Sequence, residues 1–372
     1  MKVLILSGNT GAGHNSAACA VQERFVARGD ECIIQDGLKY VSPAASVIIS
    51  TGHVTLYKHL RKINDLGWRY NIKHRDGVNE DFPLYKLMMY GCKDLALYLI
   101  QEKFDVVLCT HVFPGWLLAN TVKRYNIAVK TGIVETDYMA TLGSEYCDLD
   151  YHFVSAPEVA DNLEKLGVDR EKIIVTGIPV KTEIFRHLSH AEAKEQLNIQ
   201  SDRKHIIVML GSMGGGPMVS ITHNLIRNLG NQAYITVICG SNKKMYKDLK
   251  FLYGRRKNIR ITRFIKEISL WMDSADIFVT KPGGISTTES SIKNLPMVLI
   301  NSVGGCETEN MNFFISRGAA MAAEGSHDVA AVVRRLLADD DYIHDIRDAL
   351  RKIAAFNNTE LICETFGEKN AD

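Results

Sequence analysis

Short apolar stretches recur along the whole chain, and segments with helical periodicity separate them. Apolar runs bounded by turn residues are typical of buried parallel strands, and the amphipathic segments between them are typical of covering helices. The predicted strands are residues 2–7, 31–36, 105–110, 128–134, 151–155, 172–177, 205–210, 234–239, 259–263, 277–280 and 297–300. The predicted helices are residues 15–28, 83–102, 114–124, 157–166, 217–229, 243–253, 286–294, 307–317 and 327–337.

Strands that alternate with helices in this way predict an α/β fold built on parallel sheets. Because 372 residues are many for one hydrophobic core, we expect two doubly wound, Rossmann-like domains that face a cleft. We predict an N-terminal domain at residues 1–180, a linker at 181–203, a C-terminal domain at 204–340 and a charged helical segment at 341–372. In such folds ligands bind at the carboxyl ends of the strands, so the turns that follow strands should carry the chemistry.

The segment at 276–291 carries the most informative chemical pattern. A strand ends at Thr280, the sequence Lys-Pro-Gly-Gly follows, and a helix opens with Ser286 and Thr287. Glycines let a ligand approach the backbone, and the unpaired N–H groups of a helix N-terminus attract a diphosphate. Glu289 lies about one turn into this helix, where its carboxylate can accept hydrogen bonds from the two hydroxyls of a ribose. The segment therefore predicts a nucleoside-diphosphate site.

Two further glycine-rich turns follow strands in the C-terminal half. The first contains Gly211, Gly214 and Gly215, and it suits either close approach of a phosphate or sugar or simply a tight strand-to-helix turn. The second leads into a helix on which Glu307 and Asn310 are three residues apart and can face the same side. These two side chains could bind sugar hydroxyls, or they could cap the helix N-terminus.

The first strand also ends in a glycine-rich turn. Its spacing, Gly8-x-x-Gly11-x-Gly13, differs from the dinucleotide fingerprint G-x-G-x-x-G, and no Lys-Ser or Lys-Thr pair completes a P-loop. A dehydrogenase is therefore disfavoured. His14 stands at the start of the following helix, where a neutral imidazole could take a proton from a hydroxyl nucleophile or could simply pack on the turn.

Composition and charge narrow the class of protein. Apolar residues make up 46% of the chain and charged residues 23%, as expected for a soluble globular protein. A net charge of +1 gives no general attraction to nucleic acid, and we recognise no element that reads nucleic acid. The eight cysteines are scattered without a C-x-x-C pair, which favours a reducing, cytoplasmic compartment without structural zinc. We expect neither a signal peptide nor a membrane-spanning helix, which would need roughly 20 consecutive apolar residues.

Several segments resemble, in the same order, those of the monogalactosyldiacylglycerol synthase and processive diacylglycerol glucosyltransferase family. They are Ser-Gly-Asn-Thr-Gly-Ala-Gly-His-Asn-Ser-Ala-Ala at 7–18, Thr-His-Val-Phe at 110–113, Glu-Thr-Asp-Tyr at 135–138, Thr-Gly-Ile-Pro-Val at 176–180, and the turns at 211–217 and 281–289. The resemblance spans residues 1 to about 340. The chain is also similar, more distantly, to the N-acetylglucosaminyltransferase that makes lipid II of peptidoglycan.

The resemblance implies a GT-B fold with an N-terminal acceptor domain and a C-terminal UDP-sugar domain. It implies inverting transfer from a UDP-sugar to diacylglycerol or a related lipid, without a metal or other cofactor. Uracil would lie beside Phe264 and Ile265, the ribose on Glu289, and the transferred sugar on Glu307 and Asn310. The donor-binding residues that it implies are Gly211, Gly214, Gly215, Phe264, Ile265, Gly283, Gly284, Ser286, Thr287, Glu289, Glu307 and Asn310.

On the acceptor side the resemblance implies binding by residues of the first turn and of the segment after the third strand, namely Gly11, Gly13, His111 and Phe113. His14 would lie near the acceptor hydroxyl. Asp137 is the other candidate base, or a group that orients His14.

Departures from the family pattern leave the sugar undecided between glucose and galactose. Many relatives have glutamine where this chain has Cys306, and plant members have an acidic residue where it has Met213. Two alternatives also stay open, namely transfer to another lipid or polyprenyl-linked acceptor and a non-catalytic UDP-sugar sensor. The number of sugars added and the oligomeric state are likewise undecided.

Asp148-Leu149-Asp150 matches the D-x-D metal signature of the other glycosyltransferase fold. Because this tripeptide leads directly into the strand that begins near Tyr151, we interpret it as the start of a strand and expect no metal site.

Two basic segments favour contact with an anionic membrane. Residues 53–75 mix basic and aromatic side chains, which suits a peripheral position on the inner face of the cell membrane or, alternatively, a solvated loop. The contact residues that we predict there are Lys58, Arg61, Lys62, Trp68, Arg69 and Tyr70. Residues 243–263 are also strongly basic, as either a solvated outer helix or a second membrane- or phosphate-attracting patch.

Overall fold

A computed structural model describes residues 1–8, 11–42, 44, 47, 80–212, 214, 216–300 and 305–367. The strands are β1 Lys2–Ser7, β2 Glu31–Asp36, β3 Val106–Cys109, β4 Lys130–Val134, β5 Tyr151–Val154, β6 Ile173–Val175, β7 Lys204–Met209, β8 Ala233–Ile238, β9 Ile259–Thr262, β10 Ile277–Thr280, β11 Met297–Ile300 and β12 Ala320–Ala323. The helices are α1 Ala12–Ala27, α2 Pro83–Met88, α3 Cys92–Glu102, α4 Val112–Tyr125, α5 Pro157–Lys165, α6 His190–Gln196, α7 Met218–Leu229, α8 Lys243–Tyr253, α9 Ile268–Asp273, α10 Gly284–Ile292, α11 Cys306–Ser316, α12 Val329–Leu337, α13 Asp340–Ala354 and α14 Thr359–Gly367.

The strands form two six-stranded parallel sheets, in the orders β2-β1-β3-β4-β5-β6 and β12-β11-β10-β7-β8-β9. In each sheet the strand order reverses once, between β1 and β3 in the first and between β7 and β10 in the second. Such switch points leave room for a ligand beyond the carboxyl ends of the two strands. The glycine-rich turns after β1, β7 and β10 all lie at these positions. The predicted α/β class with two doubly wound sheets is confirmed.

Burial on both faces explains why the central strands are continuously apolar. All four residues of β3 are buried, and so are all four of β10 and of β11. Two clusters of buried side chains cover the faces of the first sheet, one around Trp116 and the other around Phe25 and Phe153. Helices on both faces exclude water from the sheet and hold the polar turns at its carboxyl edge.

The chain divides into two compact units, and their limits differ from the predicted domains. Unit 1 comprises residues 1–181 and 356–372, and unit 2 comprises residues 182–355. The segment at 181–203, predicted to be a linker, instead packs on unit 2 almost entirely. There the Lys293 ammonium, with a fully buried side chain, donates to the carbonyl of Arg186 and pairs with Asp273 at 2.9 Å.

The predicted C-terminal segment is likewise shared between the units. Helix α13 belongs to unit 2, whereas α14 returns to unit 1 and packs against α1. The Phe366 ring lies 5.8 Å from the Phe153 ring, and Ile362 and Cys363 are fully buried beside it. Burying each such apolar side chain is worth about 1.5–3 kcal/mol, which explains why the end of the chain returns to unit 1.

Two local features differ from the prediction. Strand β12 was not predicted, because its Ala-Met-Ala-Ala sequence lacks β-branched residues. The helix predicted at 83–102 is broken by a 3-10 turn at Met89–Gly91, where a side chain on Gly91 would meet the Tyr40 backbone at 2.9 Å. Among the described residues, no helix is long and apolar enough to cross a bilayer.

Candidate functional site

In unit 1, His14 lies where the first sheet reverses its strand order. It belongs to the first turn of α1, and its Nδ1 lies 2.7 Å from the carbonyl oxygen of Thr110, just after β3. The Thr136 hydroxyl, just after β4, lies 3.1 Å from the same nitrogen. The segments that follow β1, β3 and β4, which are neighbours in the sheet, thus meet at the His14 imidazole.

These contacts fix the protonation state of the His14 ring. A carbonyl oxygen only accepts, so Nδ1 carries the proton and Nε2 keeps its lone pair. Burial lowers the pKa of His14 below its ordinary value, and the negative charge of Asp137 acts in the opposite direction. The ring is therefore neutral near pH 7, and its Nε2 can accept a proton.

His111 lies directly beside His14, and Phe113 lies beside His111. The His14 and His111 rings are 4.6 Å apart, and the His111 and Phe113 rings are 4.7 Å apart. His111 caps α4, because its Nδ1 accepts from the Phe113 N–H at 3.1 Å. Its other ring nitrogen, Nε2, therefore carries the proton and complements the acceptor Nε2 of His14. Close packing needs Gly8 here, since a Cβ on Gly8 would lie 2.8 Å from the His111 ring.

The remaining unit 1 candidates lie on the same edge of the sheet. Gly11 precedes α1 and Gly13 lies in its first turn. Asp137 is partly buried, and its main-chain oxygen accepts from the Ser155 hydroxyl at 2.8 Å. The group that orients His14 is the Thr110 carbonyl, which sequence reasoning did not identify because a backbone oxygen leaves no residue-type signal.

In unit 2, the turn after β7 requires its glycines. Gly211 and Gly214 adopt left-handed φ values of 81° and 57°. A Cβ on Gly214 would lie 2.0 Å from the carbonyl oxygen of Cys239, and one on Gly211 would lie 2.5 Å from Cε of Lys281. The turn thus packs directly against the turn that follows β10, its neighbour in the sheet.

The turn after β10 offers main-chain donors to a ligand. Gly283 precedes α10, whose N-terminus has no side-chain cap. The Thr287 hydroxyl and the Thr287 N–H both donate to the Gly283 carbonyl, at 3.0 and 3.1 Å, so both donors of this residue are used within the helix. Ser286 and Glu289 are partly exposed in the first two turns of α10. An uncapped helix start of this kind suits an anionic diphosphate.

Lys281 is a polar residue of this site that sequence reasoning missed. Its ammonium pairs with the carboxylate of Glu307, the second residue of α11. Its Cε lies over the Cα of Gly211, so one side chain connects the turns after β7, β10 and β11. The signal was available, because a lysine directly before Pro-Gly-Gly places positive charge beside a predicted phosphate site.

Glu307 and Asn310 are more deeply buried than the sequence suggested. Glu307 is 4% exposed, and its Oε2 accepts no hydrogen bond from any residue that the structure describes. A buried carboxylate oxygen of this kind is energetically costly unless it gains a donor. Asn310 is fully buried and donates to the Pro282 carbonyl at 3.1 Å, which holds the turn after β10 in place.

Phe264 follows β9 and is 60% exposed, and the Arg263 guanidinium lies 5.3 Å from its ring centre. Ile265 beside it is partly exposed. An exposed aromatic ring next to an arginine is suited to stacking against a base.

Asp148 and Asp150 each have a structural partner. Asp150 accepts from the N–H and the hydroxyl of Thr131 at 2.7 and 2.8 Å, and Asp148 pairs with Lys172 at 3.0 Å. The predicted donor contact Gly215 and the predicted membrane contacts Lys58, Arg61, Lys62, Trp68, Arg69 and Tyr70 lie outside the described residues.

Two protein-family models match the chain, and between them they cover most of its length. Residues 14–180 match the monogalactosyldiacylglycerol (MGDG) synthase family, and residues 205–344 match the glycosyltransferase family 28 C-terminal domain. The processive diacylglycerol beta-glucosyltransferase of Bacillus subtilis is 26% identical over 368 residues, which cover 98% of this chain and 94% of that protein.

Solved glycosyltransferase structures share the fold at low sequence identity. MurG of Acinetobacter baumannii superposes with a TM-score of 0.65 at 15% identity, covering 98% of this chain and 99% of that one. The spinosyn rhamnosyltransferase SpnG in complex with thymidine diphosphate gives a TM-score of 0.66 at 12% identity, covering 99% and 100%. The fold is thus GT-B, as predicted. Residues 14–180 thus carry the domain of the monogalactosyldiacylglycerol synthase family and residues 205–344 that of glycosyltransferase family 28, and the chain is similar over nearly its full length to processive diacylglycerol beta-glucosyltransferases.

Proposed function

We propose that this protein transfers a hexose from UDP-glucose or UDP-galactose to the hydroxyl of diacylglycerol, with inversion at the anomeric carbon. The observation that carries the proposal is the uncapped start of α10 at the switch point of the second sheet, with Glu289 on its first turns. Main-chain N–H groups for a diphosphate and a carboxylate for a ribose meet there, and the family supports a UDP-sugar donor.

On the acceptor side, His14 acts as the general base. Its Nε2 takes the proton of the acceptor hydroxyl while that oxygen attacks the anomeric carbon of the donor. The Thr110 carbonyl holds the required tautomer, and Asp137 stabilises the imidazolium that forms. Proton transfer to a positioned base is typically worth roughly 10²–10⁴-fold in rate.

On the donor side, the bond between the anomeric carbon and the diphosphate oxygen breaks, and UDP leaves as an anion. The N–H groups at the start of α10 and the Lys281 ammonium stabilise the charge that develops on the leaving group. Glu307, whose Oε2 is buried without a donor among the described residues, accepts from a hydroxyl of the transferred sugar. Phe264 stacks on uracil.

The acceptor is insoluble in water, so the enzyme must work at a lipid surface. We propose peripheral association with the inner face of the cell membrane, for which the basic and aromatic sequence at 53–75 is one support. That sequence lies outside the described residues.

The direct test is incubation of the purified protein with UDP-glucose or UDP-galactose and vesicles that contain diacylglycerol, followed by mass analysis of the lipids. We expect a hexosyl-diacylglycerol from at least one donor, formed roughly 10²–10⁴-fold more slowly by the variant His14→Ala. A product only with another lipid or a polyprenyl-linked acceptor would change the assigned acceptor. UDP-sugar binding without any product would favour a sensor and refute the proposed reaction.

A further inference from the structure

Helix α8, Lys243–Tyr253, presents an unusual outer face to solvent. Met245 and Leu249 are buried and attach the helix to unit 2. Residues on the opposite side include Lys247 and Phe251, which are one turn apart and both exposed. Their positions define a surface, here called the α8 face, that consists of Lys243, Lys244, Lys247, Lys250 and Phe251.

Phe251 is 90% exposed, and Leu252 beside it is 52% exposed. The buried residues of this helix are Met245 and Leu249, so Phe251 buries little apolar surface in the fold. Full burial of such a ring would be worth about 1.5–3 kcal/mol, so a partner that covers it gains free energy.

The charge around Phe251 has one dominant sign. Four lysines lie on the α8 face, and the exposed residues Arg255, Arg256 and Lys257 follow the helix. Asp248 is the one acidic residue of α8, and it is paired with Lys244 at 3.3 Å. Basic residues that surround an exposed apolar ring complement a surface with negative headgroups and an apolar interior.

We infer that the α8 face docks on an anionic lipid bilayer, with Phe251 inserted among the acyl chains and the lysines on the headgroups. The inference rests on the proposed function for its purpose, since a lipid acceptor gives the protein reason to reach a bilayer. It goes beyond that function by assigning a contact to unit 2. A single-stranded or double-stranded polyanion would satisfy the lysines without requiring an inserted ring.

The α8 face is connected to the donor site within unit 2. Asn242 caps α8 and also donates from Nδ2 to the carbonyl of Gly214 at 3.0 Å. The Ser241 N–H donates to the Ser212 carbonyl at 2.8 Å. The docking helix thus begins at the glycine turn after β7, so a bilayer contact here would hold the donor site close to the lipid surface.

The test is co-sedimentation of the full chain with vesicles of phosphatidylglycerol and phosphatidylcholine, compared with phosphatidylcholine alone. We expect binding to the anionic vesicles, weakened by salt. Lys247→Glu should weaken it by at least about five-fold, whereas Lys352→Glu, an exposed lysine on another helix of unit 2, should change it little. Phe251→Ser should weaken binding by about ten-fold, whereas Phe251→Trp should bind the vesicles about as tightly as the wild type.

Phe251→Trp also reports insertion directly. Its added fluorescence should be quenched by brominated acyl chains, beyond any quenching of the native protein. Equal losses for Lys247→Glu and Lys352→Glu, with none for Phe251→Ser, would overturn the inference. The inference would also be overturned if all α8 variants bound anionic vesicles as tightly as the wild type. Tight binding to RNA that is unchanged in Phe251→Ser would overturn it too. The same variants are also assayed for sugar transfer to diacylglycerol dispersed in detergent, which needs no bilayer. Transfer without bilayer docking would refute only the docking inference, whereas no transfer even by the wild type would refute the proposed function.

Discussion

Replacing His14 by alanine tests the division of labour between the two units. Nε2 of His14 is the atom proposed to take the acceptor proton, whereas the residues proposed to bind UDP all belong to unit 2. Loss of a positioned general base should lower kcat roughly 10²–10⁴-fold, which corresponds to about 3–5 kcal/mol of activation free energy. UDP affinity, measured by calorimetry, should stay within about two-fold of the wild type, because no nucleotide contact is removed.

The pH dependence provides a second measurement on the same residue. The base must be neutral, so kcat/KM should rise as the pH rises through the pKa of His14 and level off above it. Since burial lowers this pKa, the acidic limb should lie below the ordinary range of histidine. Asp137→Asn removes the charge that opposes burial, so the limb should move to still lower pH while kcat falls.

A matched control is His344→Ala, which removes an exposed histidine from α13 and should leave both rate and affinity unchanged. Equal losses of turnover and UDP affinity in His14→Ala would refute the assignment of His14 to the acceptor. If the acidic limb of kcat/KM lay at the same pH in Asp137→Asn as in the wild type, the proposed effect of the Asp137 charge on the pKa of His14 would be refuted.

Three further predictions concern unit 2. Glu289→Gln should lower UDP affinity by roughly ten-fold and abolish the preference for UDP over 2′-deoxy-UDP, as calorimetry with both nucleotides would reveal; an unchanged preference would remove the ribose role. Gly214→Ala should destabilise the protein by about 2–3 kcal/mol in urea unfolding, because its Cβ would meet the Cys239 oxygen at 2.0 Å. Gly318→Ala, at a glycine with φ of 66° and open space around a Cβ, should cost only about 1–2 kcal/mol, and equal costs would contradict the packing argument. Burial lowers the pKa of His205 to about 3, so the neutral form is favoured in the folded state, and stability should be complete above about pH 6.5 and decline as the pH falls toward 3. The free energy of unfolding, measured across this pH range, should fall more steeply with decreasing pH in the wild type than in His205→Gln. Parallel curves would contradict the role of His205.

The fold could be predicted because its strands are buried on both faces. Continuous apolar runs mark such strands clearly, and β1, β10 and β11 occur at the predicted residues. The order of strands within each sheet leaves no comparable pattern in the sequence, although it determines which turns become neighbours. Strand β12 was missed because its alanines do not form a run of β-branched residues.

The candidate site was predictable where function requires glycine or a titratable side chain. The turns at Gly211 and Gly283 and the position of His14 carry that signal directly. Contacts made by backbone oxygens or between residues distant in the chain leave no such signal in the sequence. The Thr110 carbonyl and the Lys281–Glu307 pair are examples. The unit boundaries failed for a similar reason, since the return of α14 to unit 1 depends on the burial of Phe366.

The proposed reaction depends most on the turn between β10 and α10 as the site of the diphosphate. A crystal structure of the protein with UDP tests it directly. We expect the diphosphate on the main-chain N–H groups at the start of α10, beginning with Gly284, the ribose hydroxyls on Glu289 and the uracil beside Phe264. Nucleotide bound only to unit 1, or a bound ribose that lies away from Glu289, would contradict the account.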